Sequence, residues 1–317
     1  MTEVSKLHGE LFHYTSMDAF ESIYKSQTFW ATHYTNLNDS SEFQIFRRKL
    51  EEFIRPDIRR ILVERGYGAD DIDSKVEQVV AIHLDDLHHR TFGECGLQEV
   101  FISSFCTHEK ESVAARHGLL SQWRGYGAGG GVAIVLDTRG IEEQMAHEQY
   151  IFDHSESYMG NVLYDDNDTQ IREDRHLVFK HLPQLIRSFY PEFAKESDLS
   201  LDTWGLVLSQ FIYGTTLVKH HGFCEEQEVR IVVSPRPTNP KSIFYVAADI
   251  KPSKEILYRM KDDREVRYIK LFGIAPLPIR RVIIGPSRFQ NLNHQKITEQ
   301  VKGTGIEVVK SEIPFIG

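Results

Sequence analysis

Ser121-Gln122-Trp123-Arg124-Gly125-Tyr126-Gly127-Ala128-Gly129-Gly130-Gly131-Val132-Ala133-Ile134-Val135-Leu136 is the stretch that decides which class of fold the chain adopts. Its last five residues form an unbroken apolar run, the clearest strand in the sequence. Its glycine run, Gly125 to Gly131, invites comparison with a phosphate cradle. A dinucleotide fingerprint runs strand, glycines, helix. Here a short helix ending near Trp123 comes first and the strand comes last. No GxxxxGK[ST] motif occurs either. Both nucleotide-binding folds are therefore set aside. The glycines read as a turn where backbone approaches something closely, with Trp123 and Tyr126 flanking it as rings able to stack on a planar ligand.

Working outward, the remaining strands are short and irregularly spaced. Leu11–Tyr14, Thr28–Thr32, Val100–Cys106, Tyr158–Tyr164, Val229–Val233, Ile243–Val246, Val282–Ile284 and Ile306–Val309 read as strands. Helical patterns fall between them in blocks. Thr15 and Asp18 have the spacing of a helix start, and a helix is expected to about Lys25. Another covers Ser41 to about Ile54, with Pro56 expected to break it before a second stretch to Glu64. Further helices are expected near 71–90, 167–196, 201–219 and 292–301. Blocks of helix between strands that need not be neighbours predict an α+β fold rather than a βαβ array. The expected architecture is one domain over 1–317, with a mixed or antiparallel sheet and helical insertions at about 40–92 and 167–219.

Composition bounds the function. The chain has 317 residues, 37 Lys+Arg, 46 Asp+Glu and a net charge of −9. That balance argues against coating nucleic acid through bulk charge. The best basic patch runs from Arg47-Arg48-Lys49 to Arg59-Arg60. Three cysteines at wide spacing, without a CxxC pair, support neither a disulfide framework nor a cysteine zinc site. His83 and His88, five apart, lack a shared helix face and no HExxH occurs, Asp165-Asp166-Asn167-Asp168 lacks the rest of a calcium loop, and His220-His221 with Cys224 is incomplete for zinc. No metal site is expected. Neither a membrane-spanning run nor a signal-peptide core is seen, so the expectation is a cytoplasmic protein with no membrane partner.

Four motifs carry chemistry. His13, on a short strand before a helix, is placed to bond a ligand hydroxyl. Ser103 and Ser104 alternate, so one can line a cleft while the other stays within the sheet. Trp123 and Tyr126 offer rings. In Glu225-Glu226-Gln227-Glu228-Val229-Arg230, strand alternation would put Glu226, Glu228 and Arg230 on one face, the two carboxylates about 7 Å apart. Arg230 would keep a carboxylate ionised there. Each motif also has a plain structural reading: a core histidine, a sheet serine, packed aromatics, an ion-paired edge strand.

The set as a whole resembles DUF2971, a bacterial family of unknown function. The matching residues are His13-Tyr14-Thr15, Asn38-Asp39 with Glu42, Ile102-Ser103-Ser104-Phe105, Trp123 with Tyr126-Gly127, Glu226-Gln227-Glu228-Val229-Arg230 and Ile283-Ile284-Gly285-Pro286. A second similarity, to the ADP-ribosyltransferase superfamily, lies in the order of a first-strand His, a Ser-containing strand and a late Glu-x-Glu. That resemblance implies NAD as substrate, an unidentified macromolecular acceptor and no metal. It implies His13 at a ribose hydroxyl, with Tyr14 and Thr15 beside it, and Ser103 or Ser104 in the nicotinamide pocket. It makes Glu228 the catalytic carboxylate, with Glu226 orienting a nucleophile, and suggests a toxin or antiphage role. Two rival expectations are a non-enzymatic ligand-sensing or interaction module and a metal-independent nuclease or hydrolase. The module predicts that these side chains need not meet; the nuclease predicts a basic surface beside the cleft.

Overall fold

A computed structural model describes residues 4–37, 42–68, 71–93, 99–127, 129–176, 179–183, 201–237 and 251–314. The first half contains α1 (Val4–Leu7), β1 (Glu10–Thr15), α2 (Met17–Ser26), β2 (Thr28–His33), α3 (Glu42–Glu64), α4 (Ile72–Phe92) and β3 (Phe101–Cys106). Next come α5 (Val113–His117), α6 (Leu120–Tyr126), β4 (Val132–Asp137), α7 (Thr138–Ile151), β5 (His154–Asn161), β6 (Leu163–Tyr164) and α8 (Asp168–Asp174). The rest comprises α9 (Leu201–Leu217), β7 (Val218–Lys219), β8 (Glu228–Pro235), β9 (Leu257–Lys261), β10 (Arg264–Phe272), β11 (Ile279–Ile284), α10 (Gln290–Gln300) and β12 (Glu307–Lys310). The fold is α+β. Ten of the strands form one sheet, antiparallel except for the parallel β11–β12 pair, and β6 and β7 form a separate parallel pair.

The sheet branches at β3. One edge of β3 pairs with β8 along its whole length, from Phe101↔Val233 to Cys106↔Glu228, and β5 extends that wing. The other edge is shared. At one end it meets β2 through Thr32↔Ile102 and His33↔Phe101, continuing to β10 and β9. At the opposite end it meets β1 through Phe12↔Cys106, continuing to β4, β11 and β12. Between those ladders lie residues 103–105, where the sheet forks.

Strand alternation decides what covers each face. On one face Ile102 and Val232 join the largest core cluster, built with α3, α4 and α9. Further along that same face Cys106, Phe12 and Tyr14 pack with Trp123 of α6. Ser104 falls between these two covered areas and is exposed. The opposite face carries Phe101, Phe105, Val229 and Ile231, packed with α2, α7 and α10.

Several helix expectations change. Ser16, not Thr15, caps α2, its hydroxyl accepting from the Ala19 N–H at 3.2 Å. Pro56 does not end α3, which runs through it. Ile45, Phe46, Leu50, Phe53, Ile54, Ile58, Ile61 and Leu62 form one buried stripe on that helix. Burying eight large side chains, at about 1.5–3 kcal/mol each, outweighs the roughly 3 kcal/mol cost of an internal proline. The helix α7 and the β9–β10 hairpin were not expected. The strand expected over 243–246, the Asn38-Asp39 turn and Cys95 lie outside the described residues.

Candidate functional site

A cleft of ≈ 590 Å³ opens over the fork. Its floor comes from β1, β3 and β8. Its walls come from α6, the segment 219–226, and the β2–β10–β9 wing. His13, Tyr14, Ser103, Ser104, Tyr126, Glu226, Glu228 and Arg230 all border it. Residues separated by more than 200 positions thus share one site.

Glu228 and Arg230 lie on the face of Ser104, as the Ser104↔Arg230 register requires. They are 4% and 2% exposed. Arg230 Nε donates to Glu228 Oε1 at 2.7 Å and Nη2 to Oε2 at 3.2 Å, while Nη1 donates to the Thr216 carbonyl at 2.9 Å. Lys219 Nζ donates to Glu228 Oε2 at 3.0 Å and to Glu226 Oε2 at 2.8 Å. Burial alone would raise the Glu228 pKa, but Arg230, Lys219 and the Ser104 hydroxyl together hold it at about 2. Both Glu228 oxygens are therefore occupied. Glu226 Oε1 has no hydrogen-bond partner among the described residues.

Glu226 and Glu228 do not share a strand face. Glu226 ends a 3₁₀ turn, His221–Glu226, and Gln227 then takes a left-handed conformation at φ 43° before β8 begins. The period-2 argument fails because it needs extended backbone through all three residues. Lys219, which no motif singled out, joins the carboxylates instead; its only sequence signal is a lone cation at the end of an apolar helix.

His13 packs against Phe29 and Phe105, with ring centroids 5.0 and 5.6 Å away. Burial lowers its pKa, so the ring is neutral at neutral pH. Nδ1 lies 3.3 Å from the Ser104 carbonyl. Only a protonated Nδ1 can bond a carbonyl, which leaves Nε2 as an acceptor. Of the two serines, Ser104 is exposed on the carboxylate face, while Ser103 is buried opposite Ile231.

Two expected ligand contacts, Tyr14 and Trp123, have structural partners instead. The Tyr14 hydroxyl lies 2.7 Å from His108 Nε2 and accepts from the Leu119 N–H at 2.9 Å. Trp123 is fully buried against Tyr14, and its Nε1 donates to the His117 carbonyl at 3.1 Å. Neither Trp123 nor Thr15 borders the cleft. The glycine run likewise approaches the protein's own backbone. A Cβ on Gly131 would collide with the Thr15 carbonyl oxygen and sit 2.7 Å from Gly127 Cα. Gly131→Ala is expected to cost about 1–3 kcal/mol, read as a lower urea midpoint at unchanged slope.

Gln122 is a functional candidate that sequence reasoning missed. It borders the cleft at 5% exposure, and its amide has no hydrogen-bond partner among the described residues. The signal was its position one residue before Trp123 and four before Tyr126, which puts Gln122 and Tyr126 on one helical face.

Four of the five cations of the basic patch on α3 are engaged in ion pairs. Arg47 meets Asp85, Lys49 meets Asp168, Arg59 meets Asp73 and Arg60 meets Asp57. The half-buried Asp165 approaches the exposed His220 and His221, a trio with the chemistry of metal ligands. Asp165 Oδ1 already accepts from the His221 backbone N–H at 2.8 Å, which clasps the 3₁₀ turn to the loop after β6. Among the described residues no helix is long and apolar enough to cross a membrane.

No curated protein and no solved structure matches the chain. A family model does match residues 122–231, the span from Gln122 on α6 to Ile231 on β8 that contains Tyr126, Lys219, Glu226, Glu228 and Arg230. That model is described as a protein of unknown function, DUF2971, and over this span the chain is similar to the family whose motifs it resembles.

Proposed function

We propose that the cleft binds NAD and breaks its nicotinamide–ribose bond, passing ADP-ribose to a protein or nucleic-acid acceptor or to water. The observation that carries this reading is the convergence of His13, Ser104, Tyr126, Glu226 and Glu228 on one cleft. In this reaction the bond between the ribose C1′ and the nicotinamide nitrogen breaks, and its electron pair leaves with nicotinamide. Positive charge develops on the ribose. A nucleophile then attacks C1′ and releases its proton.

The available groups suit those steps. A neutral His13 offers Nε2 to a ribose hydroxyl. The exposed Tyr126 ring can stack on nicotinamide, with the Gln122 amide beside it. Glu226 Oε1 is free to oppose the developing charge. Glu228 cannot turn toward a ligand without breaking its bonds to Arg230 and Lys219. In this proposal the two carboxylates therefore exchange roles: Glu226 touches the substrate, and Glu228 positions it through Lys219. The α3 patch lends the nuclease reading no support, because Arg47, Lys49, Arg59 and Arg60 are engaged in ion pairs.

The test incubates purified protein with labelled NAD, alone and with protein, RNA and DNA acceptors. Release of nicotinamide, with or without label on an acceptor, is the expected result. Binding of NAD without release would favour the ligand-sensing module, and no binding would overturn the proposal.

A further inference from the structure

The β9–β10 hairpin contributes two cations to the cleft. Arg259 and Lys261 both border it, and neither has an ion-pair partner among the described residues. The contrast is with the other two cleft cations, Lys219 and Arg230, which are matched by Glu226 and Glu228. Pairing those four charges leaves the cleft with an excess of two positive charges, in a chain whose net charge is −9. Arg259 and Lys261 are two residues apart on one strand, so they share a face about 7 Å apart.

The Arg259 guanidinium is held in place. It lies 4.9 Å over the Trp30 ring and 5.9 Å from that of Tyr268. Its Nε is buried without a hydrogen-bond partner. The aromatic contacts fix the planar group, and among the described residues its two Nη groups have no hydrogen-bond partner, an arrangement that suits bidentate recognition of phosphate oxygens. Trp30 is itself 40% exposed although it borders the cleft. An exposed ring beside two unneutralised cations is the pairing that a base followed by phosphates requires.

We infer that the Trp30–Arg259–Lys261 corner is a binding site for a nucleoside diphosphate group. This deepens the NAD reading by placing the adenosine diphosphate half on the β2–β10–β9 wing and the nicotinamide half over the fork. It rests on that reading only for the second half of the molecule.

The experiment titrates ADP, and separately nicotinamide mononucleotide, into wild-type protein and into Arg259→Gln, Lys261→Ala and Trp30→Phe variants, followed by calorimetry. Lys261 is exposed on a hairpin, so its removal leaves folding intact even if Arg259→Gln does not. ADP is expected to bind wild-type protein and to lose about tenfold or more in affinity in the Lys261 and Arg259 variants, each step weakened further by salt. Nicotinamide mononucleotide binding should change less than twofold. Absence of ADP binding, or equal ADP affinity in wild type and variants, overturns the inference. The two proposals separate cleanly. ADP binding that depends on the hairpin, without NAD cleavage, keeps this site and removes the enzyme reading. NAD cleavage with hairpin-independent ADP binding does the reverse.

Discussion

Glu226→Gln is expected to reduce nicotinamide release from NAD by about 10²–10³-fold, the scale for losing one preorganised electrostatic contact to a transition state. The expectation comes from how the two carboxylates are bonded. Lys219 Nζ takes Glu226 Oε2, and Oε1 remains available to substrate. Glutamine keeps the oxygen that Lys219 needs and removes only the negative charge. The fold should therefore be unaffected, with an unchanged circular dichroism spectrum and thermal midpoint. NAD affinity should fall by less than tenfold, because the lost interaction is made chiefly with the charge that develops during bond breaking. Glu228→Gln should also lower activity, but together with the thermal midpoint. A Glu226→Gln protein as active as wild type would remove Glu226 from the chemistry.

Parts of this site were legible in the sequence because they depend on local alternation. The run Phe101–Cys106 is extended throughout. Opposite faces for Ser103 and Ser104 followed from that alone, and the structure places Ser104 with Glu228 and Arg230. Alternation failed in the same kind of argument at Gln227, where a left-handed residue lets Glu226 leave the strand line. Nothing in Glu226-Gln227-Glu228 announces that conformation, since Gln is not a residue that favours it.

The branching of the sheet was not legible at all. It depends on β3 meeting β1, β2 and β8, partners up to 132 residues apart as in Phe101↔Val233. Pairings of that separation leave no periodic trace. The β9–β10 hairpin was missed for another reason. Its strands, Leu257–Lys261 and Arg264–Phe272, are heavily charged and read as surface. Its turn is Asp262-Asp263, both at positive φ (50° and 59°), where glycine or asparagine would have given a stronger signal. The charges that hid this strand pair are those that furnish the cleft with Arg259 and Lys261.

Arg230→Ala is expected to cost about 3–5 kcal/mol of folding stability, the range for removing one partner of a buried ion pair. The substitution strips Glu228 of two hydrogen bonds, from Nε and Nη2, and removes the Nη1 bond to the Thr216 carbonyl as well. Only Lys219 and Ser104 would remain to oppose the burial of its charge. Acid titration gives the same effect a second signature. The Glu228 pKa is depressed from 4.5 to about 2, so its contribution to stability is fully present above pH 4.5. That contribution, roughly 3 kcal/mol at 1.36 kcal/mol per pKa unit, disappears as pH falls from 4.5 toward 2 and the carboxylate protonates. Wild-type protein should therefore lose stability steeply across that window, and Arg230→Ala should start lower and fall less. The double variant Glu228→Gln/Arg230→Met separates the pair's net contribution from the penalty of a stranded charge. If the stranded charge dominates, the double variant recovers most of the loss in urea denaturation. If it is no more stable than Arg230→Ala, the pair itself holds β8 against α9, and the cleft floor depends on it.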